Sequence, residues 1–87
     1  MVPPVLRQRP ILEYPSIAVR LEIQGVVLLR VLVDENAAVA DVQVVSGRRE
    51  LVENAIKNVK RWKYSPATKD GVPVKVWLPV SVTFKLQ

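Results

Sequence analysis

The stretch "GVPVKVWLPVSVTFKL", residues Gly71 to Leu86, decides how the rest of this chain is read. At a period of two, Val72, Val74, Val76, Leu78, Val80, Val82, Phe84 and Leu86 fall on one face. Pro73, Lys75, Trp77, Pro79, Ser81, Thr83 and Lys85 fall on the other. That is the pattern of a half-buried β-strand. Proline lacks an N–H, so inside a sheet it is confined to edges and bulges. In a regular strand the missing donors of Pro73 and Pro79 point the same way. The even-numbered backbone groups then pair inward, and those of Lys75, Trp77, Ser81, Thr83 and Lys85 face an open edge.

Working outward, "VVLLRVLVD" (Val26 to Asp34) is nearly continuous apolar and β-branched, which predicts a strand covered on much of both faces. "DENAA" supplies a turn through Asp34 and Asn36. "VADVQVVS" alternates, with Ala40, Val42 and Val44 inward and Asp41 and Gln43 outward, so the two strands form a hairpin. "RRELVENAIKNVKRW" switches to helical period. Leu51, Val52, Ala55, Ile56, Val59 and Trp62 make one apolar stripe, with Trp62 a core anchor rather than a ligand platform. Pro66 stops the helix, because the residue before a proline is pushed out of the helical region.

Upstream, Pro15 suits the start of a short helix over Pro15 to Leu21, ended near Gly25. Residues 1–13, with Pro3, Pro4 and Pro10, favour an extended or polyproline-like lead-in. The expected architecture is α+β, in the order helix, strand, strand, helix, strand. It is a three-stranded, mainly antiparallel sheet with two helices on one face.

Composition narrows the function. The 87 residues form one domain with no second core. There is no cysteine and no histidine, so common metal sets and Cys/His or Ser/His nucleophilic arrangements are absent. The adjacent carboxylates Asp34 and Glu35 belong to a turn. Ser46-Gly47 before a helix, with Arg48 and Arg49, matches an anion site but reads first as a plain helix entry. The expectation is no enzyme, no metal and no cofactor. The net charge of +5 raises nucleic-acid or anionic-surface binding. However, Lys57, Lys60, Arg61 and Lys63 stand in and just beyond the end of the predicted helix, where cations complement its dipole. With few aromatics and Trp62 and Phe84 assigned to the core, no nucleic-acid partner is expected. No apolar run approaches the ~20 residues that span a bilayer, and "MVPPVLRQRP" has no signal-peptide core.

An edge carrying proline and lysine has two uses. It discourages uncontrolled pairing between molecules, and it is an acceptor for an extended peptide. From the pattern alone the protective reading comes first.

Several pieces occur together in order: Tyr14-Pro15 with Ala18, Ile23-Gln24-Gly25, Ser46-Gly47, Arg61-Trp62-Lys63-Tyr64 with Pro66, and Asp70-Gly71 with Pro73-Val74. Over residues 11–86 the chain resembles the C-terminal domain of TonB, the energy transducer of Gram-negative envelopes. It departs from the family at Ala37 or Ala38, where members usually carry glycine, and at Ile11-Leu12-Glu13, where glutamine is frequent.

The resemblance implies a periplasmic domain, residues 11–87, behind a lead-in or spacer end, residues 1–10. Its last strand takes up the TonB box of an outer-membrane transporter, of the kind that serves siderophore uptake, as an added strand. The implied contacts are Lys75, Trp77, Val80, Ser81, Val82, Thr83, Phe84 and Lys85, with Ile11, Leu12, Glu13 and Tyr14 as a second segment. Val80 to Lys85 is the expected pairing stretch. The resemblance further implies an N-terminal inner-membrane helix and coupling to the ExbB/ExbD complex through parts outside this chain. The alternative is an envelope interaction or self-association module, a strand-exchange homodimer without transport coupling.

Overall fold

The computed structural model describes residues 1–86. The elements are β1 (Leu6–Gln8), α1 (Ser16–Arg20), β2 (Gly25–Val33), β3 (Val39–Ser46), α2 (Arg49–Val59), β4 (Lys63–Tyr64), β5 (Ala67–Lys69), β6 (Val72–Val74) and β7 (Val76–Phe84). The main sheet is three-stranded in the order β3-β2-β7, and both pairings are antiparallel. The α+β architecture and the order of the two helices and three main strands expected above are those observed, with two further strand pairs, β1-β4 and β5-β6, outside the main sheet.

The inner face of β2, residues Val27, Leu29, Val31 and Val33, is fully buried under Leu51, Ala55 and Val59 of α2 and Ala18 of α1. Val82 and Phe84 of β7 and Trp62 complete the core. Each such aliphatic side chain contributes about 1.5–3 kcal/mol on burial, so the α2 stripe, rather than helix propensity, holds the helix.

The outer face of β2 is a correction to the expected double covering. Val26 and Leu28 are 48% and 42% exposed, because both helices pack on the same side. The apolar run therefore marks one buried face and one open face.

The proline-bearing stretch also divides. Val72–Val74 pairs with β5 in a hairpin, whereas Val76 opens β7 opposite Val33. Lys75 lies between them, where the chain leaves one partner for the next. Pro73 sits opposite Thr68. Thr68 donates its N–H to the Val2 carbonyl at 2.9 Å and its carbonyl accepts the Val2 N–H at 2.7 Å, so Thr68 needs no donor from Pro73. The two prolines thus belong to different pairings.

Local geometry adjusts other boundaries. Pro15 caps α1 from outside, and its carbonyl accepts from Ala18 and Val19 at 3.0 and 3.1 Å. Glu22, at φ 53°, turns the chain before Gly25. The α2 helix ends at Val59, leaving Trp62 in the turn beyond it, still buried. In β3 a bulge at Ala40 places Val39, not Ala40, opposite Val33, and Ala40 is exposed. The lead-in is extended and docked: β1 pairs with β4, and Val5 exchanges hydrogen bonds with Ser65.

Candidate partner-binding edge

β7 ends the main sheet, with β2 on one side and no strand on the other among the described residues. Nine successive pairs run without interruption from Gly25 opposite Phe84 to Val33 opposite Val76. The other edge, β3, is broken by register shifts near both ends. Bulges of that kind blunt an edge against pairing, so β7 is the regular one.

Alternation along β7 sorts the expected contact residues. Trp77, Pro79, Ser81 and Thr83 are exposed on the open face of the sheet. Val76, Leu78 and Val80 are half-buried on the inner face, while Val82 and Phe84 are core. The Val82 and Phe84 side chains are therefore closed to a partner, and their backbones are taken up opposite Val27 and Gly25 of β2. Lys75 and Lys85 flank β7 rather than belonging to it. The Arg30 guanidinium lies 5.1 Å from the Trp77 ring centroid, a cation–π contact on the open face.

The second segment is anchored at the far end of the same strand. The Tyr14 ring meets Phe84 edge-on, with centroids 5.4 Å apart, and its hydroxyl donates to the Ile23 carbonyl. Leu12 packs on the core, while Ile11 is 90% exposed and Glu13 is exposed. Beyond β7, the Leu86 N–H donates to Gln24 Oε1 at 2.9 Å.

Two residues that hold this segment escaped the sequence reading. Asn54 donates to the Glu13 carbonyl at 3.1 Å. Asn58, only 5% exposed, donates to the Pro10 and Ile11 carbonyls, each at 3.2 Å. The Asn58 Oδ1 accepts the Trp62 indole N–H at 2.8 Å. An indole N–H can only donate, so it fixes the amide orientation and leaves the nitrogen for the lead-in. The available signal was an asparagine four residues before a tryptophan whose buried N–H needs a partner.

Nearby, burial raises the Tyr64 hydroxyl above the usual tyrosine pKa, and the charge of Arg9 offsets part of that rise. Arg9 itself lies over the Trp62 ring at 5.1 Å.

These features define a class: a small α+β domain with two helices on one face of an antiparallel sheet and its last strand at an uninterrupted edge. A family model described as the Gram-negative bacterial TonB protein C-terminal matches residues 10–86. The chain belongs to that family, whose members are interaction domains and not enzymes. It is 40% identical over 79 residues to Protein tonB2 of Pseudomonas aeruginosa, covering 88% of this chain and 29% of that protein. It is 32% identical over 93 residues to Protein TonB of Vibrio cholerae, covering 97% of this chain and 38% of that protein. The chain thus spans about a third of the length of these curated relatives. The solution NMR structure of the Pseudomonas aeruginosa TonB CTD superposes with a TM-score of 0.79 at 19% identity, covering 97% of this chain and 87% of that one, which shows the shared fold.

Proposed function

We propose that this domain is the receptor-binding end of a TonB-type energy transducer. It takes up a short extended segment of an outer-membrane transporter, the TonB box, as a strand added to β7. The observation that carries this reading is the unbroken β2-β7 register with Pro79 opposite Arg30. A proline whose nitrogen pointed at β2 would remove a ladder bond from the middle of the sheet. With the Pro79 set facing outward, β2 keeps its donors and acceptors satisfied, and the backbones of Trp77, Ser81 and Thr83 are offered to a partner. Main-chain pairing tolerates varied receptor sequences, since the backbone provides affinity and side chains only tune it. Several bonds, each about 0.5–1.5 kcal/mol net, load together under tension along the strand.

In this reading residues 11–87 form the periplasmic domain, and residues 1–10 are the end of a spacer. The parent protein is held by an inner-membrane helix and driven through ExbB/ExbD by parts outside this chain. Ile11, Leu12, Glu13 and Tyr14 form the second contact. The same edge is also the surface on which a second copy would pair. Concentration-dependent sedimentation separates that homodimer from a monomeric receptor-binding domain.

The test is an amide chemical-shift titration with a TonB-box-like peptide. Perturbations along β7 and residues 11–14 are expected. The Thr83→Pro variant keeps the fold and loses the peptide, whereas Val82→Pro unfolds the domain by removing a ladder bond from the middle of the sheet. The reverse pattern would invert the assignment of sides, and no response in a folded monomer would refute strand addition.

A further inference from the structure

Between the lead-in and the last turns of α2 lies a groove of about 330 Å³, bounded by Ile11, Asn54, Lys57, Asn58, Lys60 and Arg61. Its surface is mostly apolar and its rim is cationic; Glu13 is the one carboxylate lining it. Among the described residues, neither Lys60 nor Arg61 has a carboxylate within ion-pair distance, whereas Lys57 meets only the exposed Glu53, at 3.3 Å. An exposed pair of that kind is weak and readily exchanged.

The helix dipole accounts for cations at the end of α2. It accounts neither for a groove between them nor for Ile11, an isoleucine 90% exposed on a segment whose backbone is clamped on both sides of it. An exposed apolar side chain on a clamped backbone, beside the Lys60 and Arg61 cations, is complementary to a chain that carries apolar and acidic residues together.

We propose that this groove is a second docking surface, which takes an acidic, extended segment of the protein partner. An apolar side chain of that segment lies against Ile11, and its carboxylates meet Lys60 and Arg61. The proposal rests on the strand-addition reading for the partner's identity and goes beyond it in assigning α2 a part in recognition. The groove adjoins the segment Ile11 to Tyr14, so one partner chain is able to engage both surfaces. Linking two contacts in this way raises the effective concentration of the second and strengthens the whole without altering the β7 pairing.

The experiment uses the labelled domain and three probes: an uncharged TonB-box-like peptide, a short peptide of alternating leucine and glutamate, and its glutamine counterpart. The acidic peptide is expected to shift the amides of residues 11–13 and 54–61 and the side-chain NH₂ signals of Asn54 and Asn58. Its affinity falls about tenfold in the glutamine counterpart, and by a similar factor in the Lys60→Gln/Arg61→Gln variant, as loss of charge-assisted contacts requires. That variant neutralises exposed side chains, and unchanged core amides such as those of Val31 and Ala55 verify its fold. Equal binding of the acidic and glutamine peptides, or no response in the groove, overturns the proposal. A groove that responds only to phosphatidylglycerol vesicles also overturns it, in favour of a lipid surface. If the groove responds but β7 ignores the uncharged peptide, strand addition fails while the groove's chemistry stands.

Discussion

Asn58→Ala tests how the partner-binding segment is held. The substitution deletes two donated bonds to the lead-in and the acceptor for the Trp62 indole. The Pro10 and Ile11 carbonyls are near the surface and recover water, so each lost bond costs about 0.5–1.5 kcal/mol. The indole N–H is buried with no other acceptor among the described bonds, and leaving it unsatisfied costs about 1–3 kcal/mol. The total is about 2–6 kcal/mol, against the ~4–13 kcal/mol expected for a domain of 87 residues. For this size that is a fall in Tm of roughly 8–48 °C. Urea unfolding followed by tryptophan fluorescence measures it, and hydrogen exchange of the Trp62 indole, faster in the variant, locates it. Asn58→Asp is the informative companion. It keeps the indole's acceptor but sets a carboxylate against two carbonyl oxygens, so its proton is held in the folded state. Its stability is then greatest below the unfolded carboxyl pKa of about 3.9 and is lost as pH rises through the raised folded value. A loss under about 0.5 kcal/mol for Asn58→Ala, with unchanged indole exchange, would refute the clamp.

Other positions carry their own expectations. Burial raises the Tyr64 pKa, so its contribution to stability is complete below about pH 10 and disappears as pH rises through the folded value; alkaline unfolding curves of Tyr64→Phe should lack that loss. Ala37 occupies φ 65° in the β2-β3 turn, where Asp34 Oδ1 accepts from the Asn36 and Ala38 amides at 2.9 and 3.0 Å. Ala37→Gly relieves the left-handed strain and should stabilise by up to about 1 kcal/mol, read as a raised urea midpoint. Gly47 is the opposite case, because a Cβ there would lie 3.0 Å from Val27 Cγ2 and 3.1 Å from its Cα, at φ 149°. Gly47→Ala should destabilise by about 1–3 kcal/mol, visible as a lower Tm.

The periodicities of this chain were enough to define its layers. Alternation in Val76–Phe84 and the helical stripe from Leu51 to Val59 each place one apolar face, and faces of that kind have few ways to meet. Local pattern is also enough to make Pro79 an edge residue, since a missing N–H is a property of the residue itself. The family resemblance was carried by short pieces such as Tyr14-Pro15 and Ser46-Gly47, two of which have evident structural reasons: Tyr14 bonds Ile23 and meets Phe84 edge-on, and Gly47 lets the chain pass close to Val27.

What period and propensity do not contain is which neighbour each segment meets. Val26 and Leu28 read as buried because they are apolar, and only the placement of both helices on one side leaves them open. The break at Lys75 arises because Val74 pairs with Ala67 and Val76 with Val33, partners far apart in sequence. The hold of Asn54 and Asn58 on residues 10–13 spans more than forty positions, with separations of 41, 47 and 48. Hydrogen bonds of that range depend on the helix and lead-in already being packed together. Local pattern placed the two helices, the main-sheet strands and the edge, whereas the four short strands and the way the edge is flanked came from tertiary contacts, because long-range pairing is a property of the assembled chain rather than of any stretch within it.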